Sequence, residues 1–109
     1  MKVAISTDGN YVSAHFGRCS EYTIFEIEDG KVKSKVVIPN PGHEPGFLPG
    51  SLGKMGINCI ICGGMGPRAQ QLFAEQNIET IIGISGTINE VIDTYLKGEL
   101  KSRESTCEH

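Results

Sequence analysis

A chain of 109 residues, 39% hydrophobic and 21% charged, has the composition of one soluble globular domain that can bury a core without disulfides or metals. Its net charge of −3 argues against nucleic acid or an anionic membrane surface as partner, since both want a basic face. No apolar run approaches the ~20 residues of a membrane span, and MKVAISTDGN lacks the apolar core of a signal peptide, so a cytoplasmic protein with four reduced cysteines is expected.

Taken in chain order, Val3 to Ser6 reads as a short strand closed by the turn signal Asp8-Gly9-Asn10. Tyr22 to Glu28 alternates as a second strand, Asp29-Gly30 is a two-residue hairpin signal, and Val32 to Ile38 returns as a third. Residues 39 to 50 hold four of the five prolines and three glycines, a loop that carries His43. Leu48, Leu52 and Met55 have helical spacing with Pro49 in the first turn, although Gly50, Gly53 and Gly56 weaken that helix. Cys59 to Cys62 reads as a buried strand, and Pro67 opens a helix with Ala69, Leu72 and Phe73 on one side. Ile78 to Ile84 is a further buried strand. Thr87 and Glu90 then form a capping box ahead of Ile88, Val91, Ile92, Tyr95 and Leu96, and Gly98 caps the end. Residues 1–98 make one domain, and Glu99 to His109 reads as a flexible polar tail.

The order βββαβαβα pairs an antiparallel meander with parallel crossovers in one α/β sheet. Right-handed crossovers place the fourth strand beside the first and the fifth beyond it. Ligands in such sheets sit outside the carboxyl ends of the strands where the order reverses, here between the first and the fourth. The loops leaving those ends are residues 7 to 21 and 63 to 66, and the His43 loop emerges at the same edge.

The first loop is long for a compact domain and contains His15, Phe16, Gly17, Arg18 and Cys19. A thiolate, an imidazole and a guanidinium in five residues suit an anionic metal–sulfur cluster. They equally suit a core plug (Phe16), a surface ion pair (Arg18) and a small buried hydrophobe (Cys19). Cys59 and Cys62 spell C-x-x-C, yet in an extended strand they lie roughly 10 Å apart on opposite faces and cannot share an ion. Cys59 reads as core, and Cys62, at the strand end before Gly63, is the one placed to reach a ligand. The tail adds Cys107 and His109, inert or a swinging lid. Cys62 to Arg68 also satisfies C-x5-R, the phosphate loop of cysteine phosphatases, although Ala69 stands where those enzymes carry Ser or Thr. The Walker and dinucleotide glycine patterns are both absent.

With both loops in view, "ISTDG…SAHFGRCSEYTIFEIEDGKV", "PGFLPGSLGKMGINCIICGGMGPRA" and "GISGTINEVIDTYLKGEL" resemble the dinitrogenase iron–molybdenum cofactor-binding family, which includes nitrogenase cofactor accessory proteins and orange-protein-like homologues. The resemblance covers nearly all of residues 1 to 98. It implies a ribonuclease-H-like three-layer fold, a mixed five-stranded sheet of order 3-2-1-4-5 flanked by helices, matching the order reached from crossovers. It also implies a non-catalytic protein that binds, carries or stores an iron–sulfur or molybdenum-containing cluster, with cofactor-assembly proteins as donors or receivers and a monomer or weak dimer as the working form. His15 and Gly17-Arg18 match the family's first loop, and Gly63, Gly64, Met65 and Gly66 its second. Thiol chemistry and position, rather than the family, nominate Cys19 and Cys62 as metal ligands beside His15. Arg18, and second Arg68, would neutralise the cluster's charge while the glycines let backbone N–H groups at the start of the 67–76 helix approach it. The alternatives are a thiol enzyme using Cys62 and Arg68, and a partner-binding regulator on the same fold.

Overall fold

In a computed structural model that describes residues 1–16, 18–40 and 53–102, one strand is the axis of the molecule. β1 (Lys2–Asp8) is buried from Val3 to Thr7 on both faces, because it has a strand on either side and a layer above and below. A short β2 (Tyr11–Val12) folds back on its end. β3 (Glu21–Glu28) pairs antiparallel with β1, and β4 (Lys31–Pro39) antiparallel with β3. β5 (Cys59–Ile61) and β6 (Glu79–Ile81) extend the sheet in parallel on the other side of β1. The path is β4-β3-β1-β5-β6 with β2 attached to β1, so the sheet has six strands rather than the expected five. The additional one is two residues long and carries no periodicity from which it could be read.

Local signals explain most boundaries. Asp29 and Gly30 both have positive φ, 55° and 75°, the backbone of a tight primed turn whose twist suits a hairpin, and Glu28 stands opposite Lys31. α1 (Pro67–Glu75) starts with proline at a position that needs no N–H donor and buries Phe73. α2 (Ile88–Leu96) is capped by Thr87, whose hydroxyl oxygen accepts from the Glu90 N–H at 3.3 Å while its O–H donates to the Glu90 carboxylate at 2.8 Å. Gly98, at φ 73°, closes the helix with its N–H on the Tyr95 carbonyl. Thr87→Ala leaves that first turn without its acceptor and is expected to cost about 1 kcal/mol, read as a lower midpoint in denaturant unfolding.

The sheet separates two apolar layers. Val3, Ile5, Phe25, Ile27, Cys59 and Ile61 face α2, whose Ile88, Val91 and Ile92 pack on them. Ala4, Tyr22, Ile24, Ile60 and Cys62 face α1 and Phe73.

Two expectations change. The strand read over Ile78 to Ile84 is three residues long, because β6 is the sheet's edge and the chain turns away after it. The tail read from Glu99 is held as far as residue 102. Leu100 packs on the α2 layer, and Ser102 Oγ accepts from the Ile82 N–H at 3.1 Å, satisfying a donor beyond the end of β6. His43, Leu48, Pro49, Gly50, Leu52, Cys107 and His109 lie outside the described residues. Of the helix expected there, Gly53 and Lys54 are helical, and Met55 packs against the α1 layer.

Candidate functional site

The two loops expected to converge do so through the backbone. The Gly63 N–H donates to the Ser13 carbonyl at 3.0 Å and the Gly64 N–H to the Ala14 carbonyl at 2.6 Å. The Phe16 N–H returns to the Gly64 carbonyl at 2.7 Å, and His15 and Gly64 form a parallel bridge. The carboxyl ends of β1 and β5 are thus stitched into one surface. Gly63 is required for this approach, since a Cβ there would lie 2.7 Å from the Ser13 and Ala14 carbonyl oxygens.

The Gly63 and Gly64 amides are not available to an anion, because the facing loop's carbonyls already accept from them. The glycines let strand-like backbone pack on backbone.

Other bonds hold the first loop in place. The Asp8 carboxylate accepts from the Ser20 N–H at 2.8 Å and from the Ser20 hydroxyl at 2.9 Å. The Ser20 backbone bond is the main reason that the Asp8 carboxyl is held below its usual range. Asn40 Nδ2 donates to the Cys19 carbonyl at 2.9 Å, tying the end of β4 to the same loop.

The nominated side chains divide by depth. His15, Arg18 and Arg68 are exposed, with His15 on the stitched bridge and Arg68 in the first turn of α1. Phe16 is half-buried, its ring 5.2 Å from Phe73 in an edge-on contact and 6.0 Å from Tyr22. Cys19, Cys62 and Met65 are buried in the layer against which Phe16 packs. Gly17 and His43 lie outside the described residues, and Gly66 is the N-cap of α1, without a side-chain cap. Among the described residues no three His, Cys, Asp or Glu side chains come together as a metal-binding group.

Burial pushes the Cys19 thiol up, with the nearby Asp8 charge adding to the shift and hydrogen bonds from the Tyr22 hydroxyl and the Thr7 N–H opposing it. Two residues of this layer escaped the sequence reading. Tyr22 is fully buried with its hydroxyl toward Cys19, and Ser6 is fully buried with an Oγ that has no hydrogen-bond partner among the described residues. Ser6 shares the face of Ala4 and stands opposite Tyr22. Its period-2 position within a buried strand was the available signal, hidden because a central strand is buried on both faces.

Phe16→Ala removes an aromatic ring packed against the thiol layer. Alkylation of Cys19 and Cys62 in the folded protein should accelerate by about tenfold or more, with Cys59 unchanged, as read by mass spectrometry of timed quenches.

Cys59 does lie on the opposite face, in the α2 layer. Burial, with Glu79 nearby, pushes its thiol from 9.0 to about 12, and burial likewise raises the Tyr95 phenol from 10.0 to about 12. Both groups are kept protonated by the fold, so the stability they contribute is whole below pH 9 and is lost as pH rises from 9 towards 12. The thermal midpoint should therefore fall progressively above pH 9, a decline that Cys59→Ala makes shallower.

Comparisons agree with this architecture. Residues 1–98 match the model of the family described as "Dinitrogenase iron-molybdenum cofactor". A protein of Methanocaldococcus jannaschii, MJ0580, is 38% identical over 109 residues, covering 95% of this chain and 92% of its own. The crystal structure of PH0822 superposes with a TM-score of 0.86 at 33% identity, over 94% of each chain. The apo form of the orange protein from Desulfovibrio gigas shares the fold, with a TM-score of 0.79 at 19% identity, over 95% of this chain and 93% of that one.

Proposed function

The chain belongs to the dinitrogenase iron–molybdenum cofactor family, and from that membership and the stitched loops we propose that it is a non-catalytic carrier of an iron–sulfur or molybdenum-containing cluster. The observation that carries the reading is the backbone union of residues 13–16 with 63–64 at the sheet's switch point. The cluster is cargo. His15, Arg18 and Arg68 offer one ligand and two positive charges at the surface, and anionic cargo is met there without being enclosed. Cys19 and Cys62 lie in the layer behind Phe16, so their ligation requires that ring to move aside. Incomplete ligation suits hand-over, since a cluster fully coordinated by the carrier is not released. In this reading Gly63 and Gly64 set the shape of the platform, while the cationic side chains, rather than the glycine amides, answer the cargo's charge.

The cysteine-phosphatase alternative lacks support. Cys62 is fully buried, and the Gly63 and Gly64 amides, two of those that would cradle a phosphate, donate instead to the Ser13 and Ala14 carbonyls.

The test is anaerobic. Purified protein is incubated with iron–molybdenum cofactor or with a simple iron–sulfur cluster, desalted, and assayed for Mo and Fe per chain. Stoichiometric metal in the wild type that falls in His15→Ala and Arg18→Ala supports the carrier, and Cys19→Ala and Cys62→Ala decide whether the thiols take part. No retained metal under either condition would overturn the proposal in favour of a partner-binding regulator.

A further inference from the structure

β4 is the far edge of the sheet and is exposed from Lys31 to Val37, and it carries three of the large hydrophobic residues that the molecule leaves in solvent, Val32, Val36 and Val37. Its two halves differ. In the first, the pairing with β3 is irregular at Lys33, which has no residue opposite it, and Lys33 makes a 2.8 Å ion pair with Glu28. A bulge and a charged side chain are what keep an edge from adding further strands. The second half, Ser34 to Ile38, has no bulge, and Lys35 is its one charged side chain. It runs in regular register with Tyr22 to Glu26, and Val36 and Val37 are 53% and 48% exposed on opposite faces.

Lys35 supplies the charge of that half. It makes no ion pair among the described residues, and with Asn10, Tyr11, Thr87, Ile88 and Asn89 it lines a cavity of about 310 Å³ on the α2 side of the sheet. Among the described residues no carboxylate stands in that lining, although the chain carries 13 acidic against 10 basic residues. The cavity walls are fixed, because the Ile88 N–H donates to the Asn10 carbonyl at 2.9 Å and the Val12 N–H to the Gly86 carbonyl at 3.0 Å.

We propose that Ser34–Ile38 is a docking edge that takes an extended, acidic segment of a partner protein as an added strand, with one acidic side chain entering the cavity beside Lys35. The outward backbone N–H and C=O groups of β4 supply affinity, Val36 and Val37 select apolar residues on either face, and Lys35 selects the charge. A second copy of this chain is the poorer occupant, because it presents the same lysine-bearing edge and brings no complementary charge. This inference does not rest on the proposed cluster site.

The test uses a fluorescein-labelled eight-residue peptide of alternating Glu and Val, a version with Lys in place of Glu, and a version with a central proline. Anisotropy titrations are paired with amide shift mapping of the intact protein. The acidic peptide is expected to bind and to shift amides of residues 34–38 and 10–11. Lys35→Glu, a surface change, should weaken it about tenfold or more and favour the basic peptide, and the proline version should not bind. Equal binding of acidic and basic peptides, shifts elsewhere, no binding at millimolar peptide, or dimerisation through β4 that ignores the peptide would each overturn the proposal.

Discussion

Gly63→Ala is expected to destabilise the fold by about 3 kcal/mol, the upper range for forcing an extra carbon into packed structure. The new Cβ would meet two carbonyl oxygens at 2.7 Å and the Ala14 Cα at 2.8 Å. All three are backbone atoms of the facing loop, so no side-chain rotation relieves the clash. Relief requires the loops to part, which removes the Gly63–Ser13 and Gly64–Ala14 bonds together with the Phe16–Gly64 bond. Gly53→Ala is the matched control, because its Cβ would meet the Gln76 Oε1 at 3.0 Å, the movable end of a flexible side chain. Denaturant unfolding should show a large fall in midpoint for the first and a change within about 0.5 kcal/mol for the second. In the same variants, cluster loading should fall with Gly63→Ala and persist with Gly53→Ala.

Phe73→Ala should cost about 4 kcal/mol, in the range for truncating a fully buried aromatic ring. Phe73 is the one residue of α1 buried outright, so its loss undoes the anchoring of that helix to the sheet. It also removes the edge-on partner of Phe16. Phe16→Ala alone should cost less, since that ring is half-buried. The double variant should be less destabilised than the sum of the two, by about 1 kcal/mol for the aromatic pair. Urea unfolding of the four proteins measures both the single effects and the coupling.

Much of the architecture was legible in the chain because its signals are local. Asp29-Gly30 carries its turn in its own backbone preferences, and Thr87 with Glu90 carries a cap within one helical turn. The meeting of the two loops was legible for a different reason. A right-handed crossover most simply sets β5 beside β1, which brings the residues after Asp8 and after Ile61 to one edge. What was hidden depends on pairings distant in sequence. Nothing in "CGGMG" says that the Gly63 and Gly64 amides are taken by Ser13 and Ala14, fifty residues away in sequence. The depth of Cys19 follows from its place in the apolar layer that holds Tyr22 and Phe73 rather than from its polar neighbours Arg18 and Ser20. β6 shortened because an edge strand is limited by its one partner, and the Ile78–Ile84 run had no mark of where that pairing ends.

The most direct measurement of the central claim is an anaerobic NMR titration of the ¹⁵N-labelled protein with a paramagnetic iron–sulfur cluster. The account predicts that amide signals broaden first at residues 13–19 and 62–68, while β4 and α2 stay sharp, and that Arg18→Ala lessens the effect. Broadening centred elsewhere, or spread evenly over the molecule, would contradict the assignment of the stitched loops as the place where the cluster is held.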